Sequence, residues 1–315
     1  MIKILKNTEE NKTILEIKNI EKGCWIDLIK PTEAELKRVI SETGADETLL
    51  RYALDEEETS HIDTEDDQVL VSFNMPITES NKRGKVYTTM PIGVLVVRDD
   101  FVITISNASF KLLDMLTKKK AIVGQICTYK KTRLAFQLLY ITSVEFLRYL
   151  TYISRDLEVY EENLAKSMNS NELFKLINYQ KSMIFFNTAI KTNQAVMERL
   201  NRGKLLKVYE EDEDILEDAA IENRQALEMS KTYSDILNGM TEVFGTVVSN
   251  NLNDVMKLLA SITLIISIPT FIASLFGMNV PFPLPAGLNG FYIILGIMAV
   301  TTIIVTVWLK RKDLL

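Results

Sequence analysis

Hydrophobic and polar positions alternate over the first 125 residues in a way that predicts short strands and helices. Strands are predicted where β-branched and aromatic residues cluster, over residues 12–18, 24–29, 69–77, 86–97 and 101–106, with a turn at Asp99 and Asp100 that makes the last two a hairpin. Thr32 follows Pro31 and forms a Thr-x-x-Glu capping box with Glu35, which predicts a helix that ends near Gly44. Residues 1–125 are therefore expected to form an α/β domain.

The pattern then changes to a helical period, with apolar residues three and four positions apart. Polar breaks near residues 167–171 and 201–204 divide this part into two antiparallel helices and a third, longer one. The third helix is predicted to begin near Leu206 or Glu213 and to continue without an obvious stop to Phe276. A helix of this length would begin as a stalk outside a membrane and continue into it.

An uncharged stretch near the end of the chain predicts two membrane crossings, because no charged residue or histidine occurs from Leu258 to Leu309 and about 20 apolar helical residues cross a bilayer. The chain is accordingly divided into a helical region with the stalk (126–257), a first transmembrane helix (258–276), an extracellular loop (277–290), a second transmembrane helix (291–309) and a basic tail (310–315). Trp308 marks an interface, and Lys257 and Lys310 flank the helices. The positive-inside rule predicts a multi-pass protein of the cell membrane, plasma or inner, with both termini cytoplasmic.

Composition narrows the possible functions. The chain of 315 residues has a net charge of −6, which does not favour a nucleic-acid partner. Cys24 and Cys127 are expected to be free thiols, and the single histidine, His61, lies in an acidic run and is expected to be a solvated surface residue. With these residues a hydrolase or zinc-enzyme site is hard to build, so neither enzymatic activity nor an organic cofactor is expected. The first residues lack the apolar core of a signal peptide, and none is expected.

Small and polar residues form a stripe along one face of the first transmembrane helix. The stripe consists of Asn253, Ala260, Thr263, Ser267, Thr270 and Ser274, at spacings of 7, 3, 4, 3 and 4. Taken alone, such a stripe is more typical of helix–helix packing in membranes. The alternative is that the stripe lines a pore. Because two helices per chain cannot enclose a pore, this would need an oligomer in which the stripe of each chain faces inward.

A tripeptide at the outer end of this helix favours the pore. Gly277-Met278-Asn279 resembles the signature of the CorA magnesium-transporter family, and its position before the last membrane helix is the specific part of the resemblance. Further residues lie at matching distances from the tripeptide: Asn253, Met256, Lys257, Leu259, Pro269 and Thr270. The resemblance covers residues 205–312 well, whereas the N-terminal domain is compatible but lacks matching motifs.

The resemblance implies an α+β multidomain membrane protein that forms a homopentamer, with a cytoplasmic α/β domain, a long helical stalk and two transmembrane helices. It implies a selectivity filter at Gly277, Met278 and Asn279, and a pore lined by Asn253, Met256, Leu259, Ala260, Thr263, Ser267 and Thr270. The chain departs from the family pattern at Ala260, where a threonine is common, and at Ser267, where some members have methionine. The loop also lacks acidic residues, so ion capture would depend on neutral oxygens.

Asn279 has a chemistry that suits hydrated Mg2+, which holds its waters tightly. A ring of Asn279 side chains would offer amide oxygens as acceptors to these waters. A helix C-cap after Gly277 is the alternative role for Asn279 and is compatible with the first.

Carboxylates crowd the start of the stalk helix, at residues 210–214 and at Glu217 and Asp218. For residues 210–214 a solvated surface run is an equally good interpretation. The resemblance aligns Asp218 with an aspartate that binds regulatory Mg2+ between subunits, and implies partner carboxylates from a neighbouring α/β domain. The candidates, among which the sequence does not choose, are Asp55, Glu56, Glu57, Glu58, Asp63, Glu65, Asp66 and Asp67.

Three hypotheses follow. The first is a channel for Mg2+, and also Co2+ or Ni2+, that is driven by the membrane potential and closed by intracellular Mg2+. The second is a zinc transporter of the same family, although Met278 favours the magnesium branch. The third is a membrane-anchored helical sensor without a pore, which leaves the tripeptide and the stripe unexplained. The expected partners are further copies of the chain, the lipid bilayer and divalent cations.

Overall fold

The structure, a computed structural model, describes residues 1–56, 58–81, 84–118, 124–164, 170–203, 205–278, 288–312 and 314. The chain divides into two compact units, Met1–Met240 and Thr241–Leu315. The functional division predicted from the sequence remains a prediction.

A mixed seven-stranded sheet forms the centre of the first unit as the structure describes it. Its strands are β1 (Ile2–Lys6), β2 (Leu15–Ile17), β3 (Trp25–Ile29), β4 (His61–Glu65), β5 (Gln68–Asn81), β6 (Gly84–Val97) and β7 (Phe101–Ser106), in the order β2-β1-β3-β7-β6-β5-β4. The pair β3–β7 is parallel and the other neighbours are antiparallel. The predicted strands are present, the first of them shorter than expected. The sequence pattern did not predict β1 or β4, and β4 is a charged edge strand.

Helices cover both faces of this sheet. They are α1 (Glu33–Thr43), α2 (Glu47–Tyr52), α3 (Leu112–Lys118), α4 (Lys131–Leu164), α5 (Ser170–Gly203), α6 (Glu210–Phe276) and, in the second unit, α7 (Leu288–Arg311). One core joins Val39 of α1 to Ile26, and the core on the other face joins Phe136 of α4 to Trp25. Trp25 and Ile26 enter different cores because successive strand residues point to opposite faces.

The predicted helix boundaries are confirmed where capping determines them. The Thr32 hydroxyl accepts the backbone N–H of Glu35, and the Glu35 carboxylate accepts the backbone N–H of Thr32 at 2.8 Å. Gly44 ends α1 with a φ of 68°, a conformation that glycine adopts without a steric cost. The long helix begins at Glu210, between the two predicted starts.

The second unit contains the two helices that the predicted fold class requires. The end of α6 and the whole of α7 are long and apolar enough to cross a membrane. Large apolar side chains such as Phe271, Leu295 and Ile303 are exposed along them. A surface of this kind is stable in lipid and unfavourable in water.

Candidate ion pathway and regulatory site

The apolar part of α6 has one side that is less exposed than the rest. Ser261 is buried there, and Ile265, Ile268, Ile272 and Phe276 are half-buried, so that one residue in each turn of the helix lies on this side. The second membrane helix shows the same pattern at Gly290, Ile294, Met298, Val305 and Leu309. A hydrogen bond of 2.6 Å from Ser261 Oγ to the Leu314 carbonyl ties α6 to the segment after α7. These two sides therefore face each other within the second unit.

The predicted polar stripe lies on the other side of α6, where its members are exposed. Each of three hydroxyls donates to the carbonyl four residues earlier: Thr263 to Leu259 at 2.8 Å, Ser267 to Thr263 at 2.7 Å and Thr270 to Ile266 at 2.8 Å. Because each O–H is used in this way, the hydroxyl oxygen remains free to accept from an outside donor. The stripe can therefore accept hydrogen bonds from the waters of a hydrated cation.

An open cavity of about 680 Å³ lies at the start of the stripe. It is lined by Asn250, Asn253, Asp254, Met256, Lys257 and Ala260. Lys257 Nζ lies 3.1 Å from Asp254 Oδ1, so the two charges neutralise each other. Met256 and Leu259 are 56% and 57% exposed, which leaves two large apolar side chains to contact lipid or another subunit.

The turn after α6 is described only in part. The N–H of Gly277 donates to the Ala273 carbonyl at 2.9 Å, and a Cβ on Gly277 would lie 3.2 Å from the same oxygen, which is tighter than an ordinary contact. Met278 is 57% exposed. Asn279 lies outside the described residues, so its predicted roles remain predictions.

Asp218 is an exposed residue of α6 in the first unit. Burial raises the pKa of the Tyr140 hydroxyl, and the nearby carboxylates of Glu222 and Asp218 raise it further, which places Asp218 beside α4. Among the described residues, no three Asp, Glu, His or Cys side chains come close enough within one chain to hold a metal ion.

The predicted partners of Asp218 lie before β4, on β4 and at its hairpin. Asp66 and Asp67 have φ angles of 41° and 63° and form the two-residue turn between β4 and β5. His61 lies between Glu58, at 3.5 Å, and Asp63, at 3.2 Å. Its side chain is 22% exposed, so this histidine lies at the surface but is only partly solvated. Glu57 is outside the described residues, and Asp55, Glu56 and Glu65 are exposed.

The acidic run at residues 210–214 is not uniformly solvated. Glu211 pairs with Lys130 at 3.4 Å and with Arg133 at 3.5 Å. Asp212 is 1% exposed, lies 3.5 Å from Arg133 Nη1, and has no hydrogen bond to either carboxylate oxygen in the described structure. Burial raises the pKa of the Asp212 carboxyl, although Arg133 opposes the rise.

The sequence contained signals for two residues that the predictions missed. Asp212 is four residues before Leu216 and seven before Ala219, both buried, so it shares their inward side of the helix. Ser261 precedes Ile265 and Ile268 by four and seven residues and belongs to the packing side in the same way. Both thiols are free, as predicted, and the structure also shows that they are buried.

Taken together, the fold and the site define a class: membrane proteins with an α+β body, a long helix and two C-terminal apolar helices. A family model described as CorA-like Mg2+ transporter protein matches residues 21–311, so the chain belongs to this family.

The relatives and solved structures agree with this assignment. The cobalt/magnesium transport protein CorA of Methanocaldococcus jannaschii is 26% identical over 299 residues, which cover 92% of this chain and 90% of the relative. The magnesium transport protein CorA of Helicobacter pylori strain 26695 is 23% identical over 298 residues, with 91% and 89% covered. The complete structure of the Methanocaldococcus jannaschii CorA magnesium transporter has a similar fold, with a TM-score of 0.82, 23% identity, and coverage of 99% of this chain and 98% of that one.

Proposed function

We propose that the chain is the subunit of a homopentameric channel that passes hydrated Mg2+, and also Co2+ or Ni2+, through the cell membrane. In each subunit the polar stripe of α6 lines the pore and α7 faces the lipid. The observation that supports this proposal is the division of α6 into two sides: one is covered by its own chain, and the other exposes hydroxyl oxygens that can still accept. Both termini lie in the cytoplasm because the basic residues flank the apolar helices at that end.

Selection takes place at Gly277, Met278 and Asn279, at the outer end of the pore. Neutral oxygens accept hydrogen bonds from the water shell, so the ion enters without being stripped of its waters. The membrane potential drives the flow, because a charge of +2 moved through about 100 mV gains about 4.6 kcal/mol. No chemical step and no organic cofactor is needed.

Met256 and Leu259 form the closed gate, and cytosolic Mg2+ holds it closed. Rings of apolar side chains block ions because they exclude water from the constriction. Asp218 would hold the regulatory Mg2+ together with carboxylates of the adjacent subunit, drawn from Asp55, Glu56, Glu57, Glu58, Asp63, Glu65, Asp66 and Asp67. An exposed Asp218 and the lack of a metal-binding group of three within the described single chain both support a shared site. Without the ion, these carboxylates would repel each other, which would favour the open state.

The test is Mg2+ flux into proteoliposomes that contain only this protein, with Zn2+ measured in parallel. A transport rate that is high for Zn2+ and absent for Mg2+ would favour the zinc transporter, and no flux of either ion would favour the sensor. The pore is then probed with single cysteines, since Cys24 and Cys127 are buried. A charged thiol reagent should block Thr263→Cys, on the stripe, and should leave Ile262→Cys, which is exposed on another side, unaffected. Equal block of both variants would contradict a pore on the stripe.

A further inference from the structure

The segment after α7 has a fixed position in the second unit. The Leu309 side chain is buried, and its carbonyl accepts the N–H groups of Lys312 at 3.1 Å and Leu314 at 3.2 Å. The carbonyl of Leu314 in turn accepts the hydroxyl of Ser261. Leu314 is therefore held against α6, and the basic residues between Leu309 and Leu314 lie at the level where the apolar helices end.

Three basic residues lie in this fixed segment and are exposed: Lys310, Arg311 and Lys312. In the described part of the chain, no carboxylate lies within ion-pair distance of any of the three. Lys257, at the same end of the apolar part of α6, is different because Asp254 neutralises it at 3.1 Å. Within the described residues these three cations therefore have no ion-pair partner, and by sequence the segment keeps a net positive charge when Asp313 is counted with them.

An aromatic residue next to these cations indicates the depth at which a bilayer would hold them. Trp308 precedes Lys310 by two residues, is 52% exposed, and is of the type that occupies the level of the headgroups. Cations held next to such a residue lie where lipid phosphates are found, and each Lys or Arg near an anionic leaflet contributes about 1 kcal/mol.

We propose that Lys310, Arg311 and Lys312 form a binding surface for the headgroups of anionic phospholipids, which the hydrogen bond between Ser261 and Leu314 anchors to α6. The bound class is a glycerophospholipid with a net negative charge, such as phosphatidylglycerol. This surface requires insertion into a bilayer but not conduction, so it goes beyond the transport function and can fail independently of it.

The two tryptophans make this surface measurable in the full-length protein, because Trp25 is buried in the first unit and only Trp308 lies next to the basic residues. The protein is reconstituted into vesicles of phosphatidylcholine and phosphatidylglycerol in which one lipid or the other carries brominated acyl chains that quench tryptophan. Bromines on the anionic lipid should quench Trp308 more strongly than the bilayer composition predicts. The quenching should correspond to an enrichment of that lipid around Trp308 of about fivefold over its share of the bilayer, which is equivalent to about 1 kcal/mol. Added salt should reduce the preference.

Variants decide whether the basic residues are the cause. The triple variant Lys310→Gln, Arg311→Gln, Lys312→Gln should lose the preference, whereas Lys257→Gln, which removes a charge already paired with Asp254, should keep it. Quenching by brominated phosphatidylcholine shows in every sample that Trp308 is still inserted. Equal quenching of the wild type by both lipids would overturn the proposal, and so would a full preference in the triple variant.

Discussion

The two units of this chain differ in how they keep large apolar side chains away from water. In the first, the largest apolar side chains, such as Trp25, Phe73 and Phe136, are fully buried, and helices cover both faces of the sheet. In the second, side chains as large as Phe271 and Phe291 are exposed along helices that pack through one residue per turn. A membrane supplies the apolar environment that the first unit builds from its own core.

The treatment of polar groups differs in the same way. The first unit buries polar side chains in networks, such as Asn193, which accepts from Ser60 Oγ at 2.7 Å and donates to the Asn74 carbonyl at 2.8 Å. In the second unit, Thr263, Ser267 and Thr270 act one at a time, and each directs its O–H to a backbone carbonyl of its own helix. In an apolar solvent an O–H group without a hydrogen-bond acceptor is costly, so each hydroxyl donates to a nearby backbone carbonyl. The hydroxyl oxygen can still accept a hydrogen bond and is available for function.

The filter residue should give the largest effect. Asn279→Ala is expected to reduce saturable Mg2+ uptake to background, a loss of at least about tenfold, because it removes the proposed ring of acceptors for the waters of the ion and little volume. Uptake is measured in proteoliposomes, with size-exclusion chromatography to show that assembly is intact. Asn289→Ala, an exposed amide at the start of α7, serves as the control and should transport normally. Wild-type uptake by Asn279→Ala would leave the tripeptide with only a capping role.

A substitution at the proposed gate tests whether the exposed apolar side chains of the second unit have a role besides contact with lipid. Leu259→Asp is expected to increase leak at high internal Mg2+ by about tenfold, because a charged ring attracts water into the constriction. Leu259→Met keeps an apolar side chain of similar size and should close normally. The leak is measured as Mg2+ efflux from loaded vesicles. If the Leu259→Asp variant closes as tightly as the wild type, the gate lies elsewhere.

The regulatory prediction concerns the first unit. Asp218→Lys is expected to shift the Mg2+ midpoint for closure at least about fivefold, because the ammonium replaces the charge of the bound ion. Mg2+ protection against proteolysis should weaken in parallel, since the two effects share one ion. Asp235→Lys, an exposed change on the same helix, should leave both midpoints unchanged. Unchanged midpoints in Asp218→Lys would remove this residue from the sensor.

The buried carboxylate of Asp212 gives a smaller, pH-dependent effect. Its raised folded-state pKa means that the folded protein binds this proton more tightly than the unfolded chain. Its contribution to stability is therefore present below the unfolded-state pKa of about 4, and is lost as pH rises toward the raised folded-state pKa. Asp212→Asn should stabilise the first unit at about pH 7 by on the order of 1 kcal/mol and flatten the pH dependence, as measured by denaturant unfolding with Trp25 fluorescence. The exposed Asp214→Asn should do neither; equal pH profiles for wild type and Asp212→Asn would contradict the assignment.

The sequence predicted those parts of the fold in which local chemistry decides the structure. The capping box at Thr32 and the C-cap at Gly44 depend on a few adjacent residues and were predicted correctly. β4 was missed because its pairing with β5, not its charged sequence, makes it a strand. The burial of Asp212 depends on packing against Arg133 and α4, and the role of Ser261 depends on a carbonyl 53 residues away. Contacts of this kind cannot be predicted from residue types alone.

The smallest expected effect concerns Ser261, the one polar side chain buried in the described part of the second unit. Ser261→Ala removes the hydrogen bond to the Leu314 carbonyl, which is worth about 1 kcal/mol, and leaves that carbonyl without this donor. Leu314 should then detach from α6 about fivefold more often, measured as faster hydrogen exchange of its backbone amide. Ser274→Ala changes the same residue type on the exposed stripe and should leave the rate unchanged. Because Ser261 is on the side of α6 away from the stripe, Mg2+ flux should remain near normal, and a large loss of flux would show that the two sides of α6 do not act separately.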